Sequence, residues 1–233
     1  GSGKTIVATL AAYYLKQTEQ GQTVFLAPLE VLAQQHYQSI AKLLLPLGLR
    51  VELLTGALTK GQKEKIKSDL QQGKIDVIIG THALLQEGIS FQNLQYVIID
   101  EQHKFGVKQR AFFKKFGAPH ILQMSATPIP RSMAIAFFGE FDVSIIDELP
   151  KGRLPIQTKI ISSTEEKKLK PRILEKIRKN QKLFVVTPLI QESESLDEVQ
   201  SVLHAYEEIQ LLYPELEGKI GLLHGKMKPK EKE

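Results

Sequence analysis

An α/β fold built around a parallel sheet is the architecture this sequence predicts, and three features lead to it. Short, nearly continuous apolar runs alternate with longer helical stretches, the pattern of strands buried on both faces and joined by crossover helices. Gly1-Ser2-Gly3-Lys4-Thr5 opens a long apolar helix. The run Val97-Ile98-Ile99 ends in Asp100-Glu101, and the C-terminal ends of parallel strands are where such folds place their ligands.

The elements follow in order. Helical spacing covers residues 4–19, 29–46, 60–72 and 107–116, and strand-like runs lie at 23–27, 75–80, 95–99 and 120–124. Each run is short and almost wholly apolar, so all four are expected to be central strands. From Phe141 to Arg153 the chain carries Pro150 and Gly152 and reads as a linker. A second alternating series then predicts strands at 156–161, 182–187 and 219–223, with helices at 165–179 and 195–212. The expected division is a domain over 1–150 and a second unit over 151–233.

Composition narrows the function classes. With 42% hydrophobic and 24% charged residues in 233, the chain is an ordinary globular protein, not a disordered, collagen-like or coiled-coil one. The absence of cysteine excludes disulfides, thiolate zinc sites and a cysteine nucleophile. No apolar run is long enough to cross a bilayer and residues 1–5 lack a secretory start, so a cytoplasmic protein without a membrane partner is expected. The net charge of +5 permits a polyanionic partner without demanding one. Lys104, Lys108, Arg110, Lys114 and Lys115 come with no acidic residue among them, and a second basic stretch runs from Lys167 to Lys182. Such runs are usually solvated helix faces, so they count only beside a phosphate-directed motif.

Two motifs carry chemistry. Gly1, Ser2, Gly3, Lys4 and Thr5 match the end of the phosphate-binding loop G-x-x-x-x-G-K-[ST], whose first glycine would precede residue 1. In that loop successive backbone N–H groups and the helix N-terminus point at phosphates. Lys4 would reach the β- and γ-phosphates, and the Thr5 hydroxyl would bind Mg²⁺. The bland alternative is a Gly-Ser leader followed by a chance Lys-Thr. Asp100 stands where a metal-holding carboxylate belongs, with Glu101 next to it to orient the attacking water; taken alone, an Asp that merely caps the next helix is the commoner case. Together the two motifs form the halves of one Mg²⁺-nucleotide site, with ATP or GTP hydrolysis as the reaction. His36, His120 and His204 are read as packing or surface residues, because no pair of them has a metal-ligand spacing.

Asp100-Glu101-Gln102-His103 together with Ser125-Ala126-Thr127-Pro128 resembles motifs II and III of the superfamily 2 helicases. Ala27-Pro28-Leu29-Glu30, Leu54-Thr55-Gly56 and Gly80-Thr81-His82-Ala83-Leu84 resemble that group's nucleic-acid-contacting loops. The strings at Asp100–Val107, Met124–Arg131 and Asp147–Thr158, with Phe184–Glu194 and Leu222–Lys232, resemble the RecG family within it. Lys104 and Ser132 are mild departures from the family pattern.

The resemblance implies a phosphate-loop, RecA-like domain without its first strand over 1–150, and the first half of a second RecA-like domain over 151–233. It implies ATP and Mg²⁺ as cofactors and branched or forked DNA as partner of a monomeric motor. Lys4, Asp100, Glu101, Gln102 and His103 would serve hydrolysis, and Ser125, Ala126 and Thr127 would couple it to domain movement. Pro28, Thr55, Gly56, Thr81 and His82 would hold DNA phosphates. Cleft arginines of this group are expected after Glu233, so the chain as given is expected to hydrolyse ATP only in traces. The transcription-repair coupling factor remains an alternative, as does a nucleotide-dependent switch without translocation. A DEAD-box RNA helicase would normally carry Asp-Glu-Ala-Asp where this chain has Asp100-Glu101-Gln102-His103.

Overall fold

A computed structural model describes residues 2–101, 112–113, 115–117, 119–126, 142–148, 152, 154, 156–162, 169–187, 195–224 and 227. The chain divides into two compact units, Gly1–Leu154 and Pro155–Glu233.

In the first unit the elements run α1 (Lys4–Glu19), β1 (Gln22–Leu26), α2 (Glu30–Leu44), β2 (Val51–Leu54), α3 (Lys60–Gln71), β3 (Val77–Gly80), β4 (Leu94–Asp100) and β5 (His120–Met124). The five strands form one sheet in the order β2-β3-β1-β4-β5, and every pairing is parallel. This is the α/β class read from the sequence.

The continuous apolar runs are explained by two separate cores. Along β1, Val24 and Leu26 enter one cluster while Phe25 enters the other. Strand β3 alternates in the same way through Val77, Ile78 and Ile79, and β4 through Tyr96, Val97, Ile98 and Ile99. Successive side chains of a strand point to opposite faces, so a sheet covered on both sides needs an apolar residue at every position. Ala8, Ala12, Ala33, Ile40, Ala41 and Leu44 of α1 and α2 cover one face, and Leu70 of α3, Ile75 and Phe113 cover the other. Helix α1 buries Ala8, Thr9 and Ala12 but leaves Ile6, Val7, Leu10 and Tyr14 exposed.

The opposite edge of the sheet, where the strands begin, is sewn together by side chains. Gln22 is 2% exposed; its Nε2 donates to the carbonyls of Leu70 and Ile75, and its Oε1 accepts from the amides of Gln92 and Asn93. Asp76 accepts from the Arg50 amide at 2.7 Å and pairs with Lys16 Nζ at 2.8 Å. Helix α3 opens on a capping box in which Thr59 and Gln62 exchange side-chain and backbone hydrogen bonds, the device that satisfies orphan N–H groups of a first turn.

Several expectations are corrected. Strand β2 lies within a stretch for which the sequence predicted no strand. Strand β5 was expected to be buried on both faces, yet its first residue, His120, is exposed, and among the described residues it pairs with β4. The predicted helix at 107–116 falls largely outside the described residues, with Phe112 and Phe113 helical.

The second unit departs furthest. It contains α4 (Lys170–Arg178) and α5 (Ser195–Leu212), α5 with the bounds expected. Helix α4 begins later than the expected 165, with Pro171 in its first turn; residues 163–168 are outside the described set. The runs expected as strands at 156–161, 182–187 and 219–223 have no regular structure. A strand requires a laddered neighbour to satisfy its backbone, and among the described residues none of these runs has one. Ile156, Ile160, Phe184 and Val186 are correspondingly exposed.

Candidate functional site

In an all-parallel sheet every strand ends on the same edge, and that edge collects the described candidate residues. Pro28 follows β1, Thr55 and Gly56 follow β2, Thr81 and His82 follow β3, Asp100 closes β4, and Ser125 and Ala126 follow β5. Helix α1 leads through Gln20 and Gly21 into the start of β1, which puts its N-terminus, with Ser2, Gly3, Lys4 and Thr5, toward that same edge. Gly1, Gln102, His103 and Thr127 lie outside the described residues.

The loop before α1 depends on glycine. Gly3 has φ 92° and caps the helix, a left-handed conformation that costs a glycine nothing and other residues about 1 kcal/mol or more. Lys4 Nζ donates to Ser2 Oγ at 3.4 Å, so the lysine folds back over the loop that precedes it. Thr9 Oγ1 donates to the Thr5 carbonyl at 2.7 Å, holding the first turns of α1.

Three of the loops are in mutual contact. The amide of Ala27 donates to the carbonyl of Gly80 at 2.9 Å, joining the loop after β1 to the end of β3. Glu30 lies against Gly56, where an added Cβ would sit 2.9 Å from its Oε1. Lys63 Nζ, from α3, donates to the Gly56 carbonyl at 2.7 Å. Gly80 itself leaves no room for a side chain, because a Cβ would collide with the Leu54 carbonyl and the Leu84 side chain. Thr55 and Thr81 are buried, so their place in these loops is fixed by packing.

At the end of β4 the backbone turns sharply: Glu101 has φ 52°, in the left-handed region that non-glycine residues rarely occupy. Asp100 is held by a residue that the sequence reading set aside. His36 Nε2 lies 2.8 Å from Asp100 Oδ2, with both side chains about 15% exposed (14% and 16%). Because a carboxylate can only accept, the ring nitrogen facing it carries the proton. The imidazole also packs on the Phe25 ring at 4.5 Å between centroids. His36 therefore packs on the sheet and in addition pairs with Asp100. One signal was available: His36 falls on the sheet-facing stripe of α2, three residues after buried Ala33 and four before buried Ile40, where an imidazole needs a partner.

His36 and Thr5 line one cavity of ≈ 350 Å³ between α1 and α2, whose other polar lining is Thr9, Gln35 and Ser39. A hydroxyl and a carboxylate are hard oxygen donors of the kind Mg²⁺ takes, and that ion keeps most of its water and needs only one or two protein ligands. Among the described residues no cluster of three or more His, Cys, Asp or Glu side chains could hold a metal ion. No helix among them is long and apolar enough to cross a membrane.

Comparison with known proteins adds a family. A family model described as DEAD/DEAH box helicase matches residues 1–135. The chain is similar over its whole length to proteins described as ATP-dependent DNA helicase RecG, at 44% identity in Aquifex aeolicus and 47% in Thermotoga maritima. It spans 29% and 30% of the length of those two relatives. A solved structure of RecG bound to a three-way DNA junction matches 91% of the chain with a TM-score of 0.74 and 42% identity, the match covering 27% of that protein.

Proposed function

The chain belongs to the DEAD/DEAH box helicase family, and from that premise we propose that it is a segment of a RecG-type, ATP-driven DNA motor acting on branched or forked DNA. The observation that carries this reading is the gathering of the described motif residues on one edge of a parallel, RecA-like sheet, with Asp100 at the end of β4. Similarity to RecG proteins along the entire chain supports the choice of branch, as does a related structure whose ligand is a three-way junction.

In this proposal residues 1–150 form the first motor domain and residues 151–233 begin the second. The motor works as a monomer in the cytoplasm. Backbone amides of residues 1–5 and the Lys4 ammonium bind the nucleotide phosphates at the start of α1. Thr5 and Asp100 hold Mg²⁺, which when bound neutralises charge on the β- and γ-phosphates. Glu101 orients the attacking water and accepts its proton, while Gln102 and His103 sense the phosphate. Ser125, Ala126 and Thr127 couple that state to movement. Pro28, Thr55, Gly56, Thr81 and His82 hold DNA phosphates without reading bases, which fits loops tied together by backbone and Lys63 contacts.

The test uses the intact helicase. ATP hydrolysis should be stimulated more by a three-way junction than by linear duplex, and Glu101→Gln should lower turnover at least ~100-fold while nucleotide binding is kept. Equal stimulation by both DNAs would remove the branched-DNA reading. Hydrolysis indifferent to DNA would leave a switch rather than a motor.

A further inference from the structure

We propose that His36 is a positioning residue for the metal-holding carboxylate: its Nε2–H fixes the Asp100 side chain in one orientation and leaves the second carboxylate oxygen for Mg²⁺ or its water. This rests on the assignment of Asp100 to the metal, and it adds a residue from outside the motif-bearing loops.

The geometry supports a built contact. The nitrogen-to-oxygen distance is 2.8 Å with both groups largely shielded, and the imidazole is held from behind by the Phe25 ring. Phe25 is fully buried in β1, and β1 pairs directly with β4, Phe25 against Ile98. The hydrogen bond thus links two adjacent strands through α2 at the point where the sheet ends. A free aspartate at a strand end samples several rotamers, and holding one of them lowers the entropy lost when a metal binds. Residues that orient a ligating side chain from behind commonly carry ~10–100-fold in metal affinity. His36 also lines the cavity that Thr5 lines, so it contacts one proposed metal-directed residue and shares a cavity with the other without being a ligand itself.

The experiment measures the affinity of the intact helicase for mant-ADP with saturating Mg²⁺ and again in EDTA. The ratio of the two affinities reports how far the metal tightens nucleotide binding, independently of turnover. Three variants are compared with the wild type. His36→Phe keeps a ring on Phe25 but has no N–H; His36→Gln keeps a donor; Asp100→Asn weakens the metal site directly. The expected result is a ~10-fold or greater loss of the Mg²⁺ effect in His36→Phe, with the EDTA affinity unchanged, and recovery to within a few fold in His36→Gln. Circular dichroism melting should place His36→Phe close to the wild type, since the ring contact remains. A Mg²⁺ effect in His36→Phe equal to or larger than that of the wild type overturns the proposal, as does a His36→Gln variant no better than His36→Phe. If Asp100→Asn also leaves the Mg²⁺ effect intact, the failure lies in the metal assignment rather than in His36.

Discussion

Replacing Gln22 by methionine should destabilise the sheet domain by about 3–5 kcal/mol, although residue 22 is far from any proposed chemistry. Methionine has nearly the shape of glutamine and none of its hydrogen bonds. In the native protein the Gln22 amide meets four backbone groups: the carbonyls of Leu70 and Ile75 at 3.0 and 2.8 Å, and the amides of Gln92 and Asn93 at 2.8 and 3.1 Å. The Ile75 carbonyl faces a buried nitrogen and would be stranded, at roughly 1–3 kcal/mol, whereas the Leu70 carbonyl keeps the Gly73 amide at 3.0 Å and forfeits only roughly 0.5–1.5 kcal/mol. The two amides are only partly buried, so water can replace the lost oxygen and each forfeits roughly 0.5–1.5 kcal/mol. A carbonyl tolerates incomplete pairing better than an N–H does, which argues for the lower half of the summed range. In urea, with a slope of ~2 kcal/mol per molar, the unfolding midpoint should fall by roughly 2 M without a change of slope. A shift under about 0.5 M would mean that the end of α3 and the segment before β4 are held by something other than Gln22.

Three other outcomes follow from the same structure. Burial pushes the Tyr96 hydroxyl up to about 12, so its contribution is fully present below the ordinary tyrosine value near pH 10 and is lost as pH rises toward 12, at most about 2–3 kcal/mol; Tyr96→Phe should flatten the alkaline fall of the urea midpoint, and an unchanged profile would show that Tyr96 ionises freely. Gly80→Ala should destabilise by about 1–3 kcal/mol through the collision with the Leu54 carbonyl and Leu84, whereas Gly61→Ala in α3, where a Cβ meets nothing within 4 Å, should be neutral or slightly stabilising in the same melt; equal effects at the two sites would refute the steric argument. DNA binding should be nearly insensitive to sequence and should weaken linearly in log–log plots against salt, with a slope near −0.9 for each phosphate neutralised; salt-independent binding to one sequence would contradict phosphate-holding loops.

Local pattern carried much of the sheet domain and little beyond it. Helix α1 was legible at both ends because glycine precedes it and its apolar spacing runs unbroken, and β1, β3 and β4 were legible because two cores demand apolar residues at every position. Strand β2 was not, since four residues with Glu52 among them give too short a period to register. The motif residues were recognisable by type, but their gathering on one edge follows from parallel pairing, which no single run encodes. The pairing of His36 with Asp100 was not legible because the two are 64 positions apart, a distance that periodicity cannot see. Gln22 was left outside the first strand for the same reason: its four partners lie on two distant segments, and a polar residue beside an apolar run looks like a loop. The three runs of the second unit have strand composition without a described neighbour, and composition alone cannot supply one.

The left-handed turn at Glu101 has an evolutionary corollary. A side chain there sits in a conformation that glycine or asparagine would adopt more cheaply, by about 1 kcal/mol, immediately after a strand whose burial leaves the backbone little freedom to relax. Selection for folding alone would therefore drive this position away from glutamate. If Glu101 orients the hydrolytic water as proposed, a lineage that kept the sheet but no longer needed to hydrolyse nucleotide would be expected to drift first at residue 101, gaining stability as it lost turnover. On the proposed role of Glu101, a glutamate in this conformation is the place where the molecule favours rate over fold.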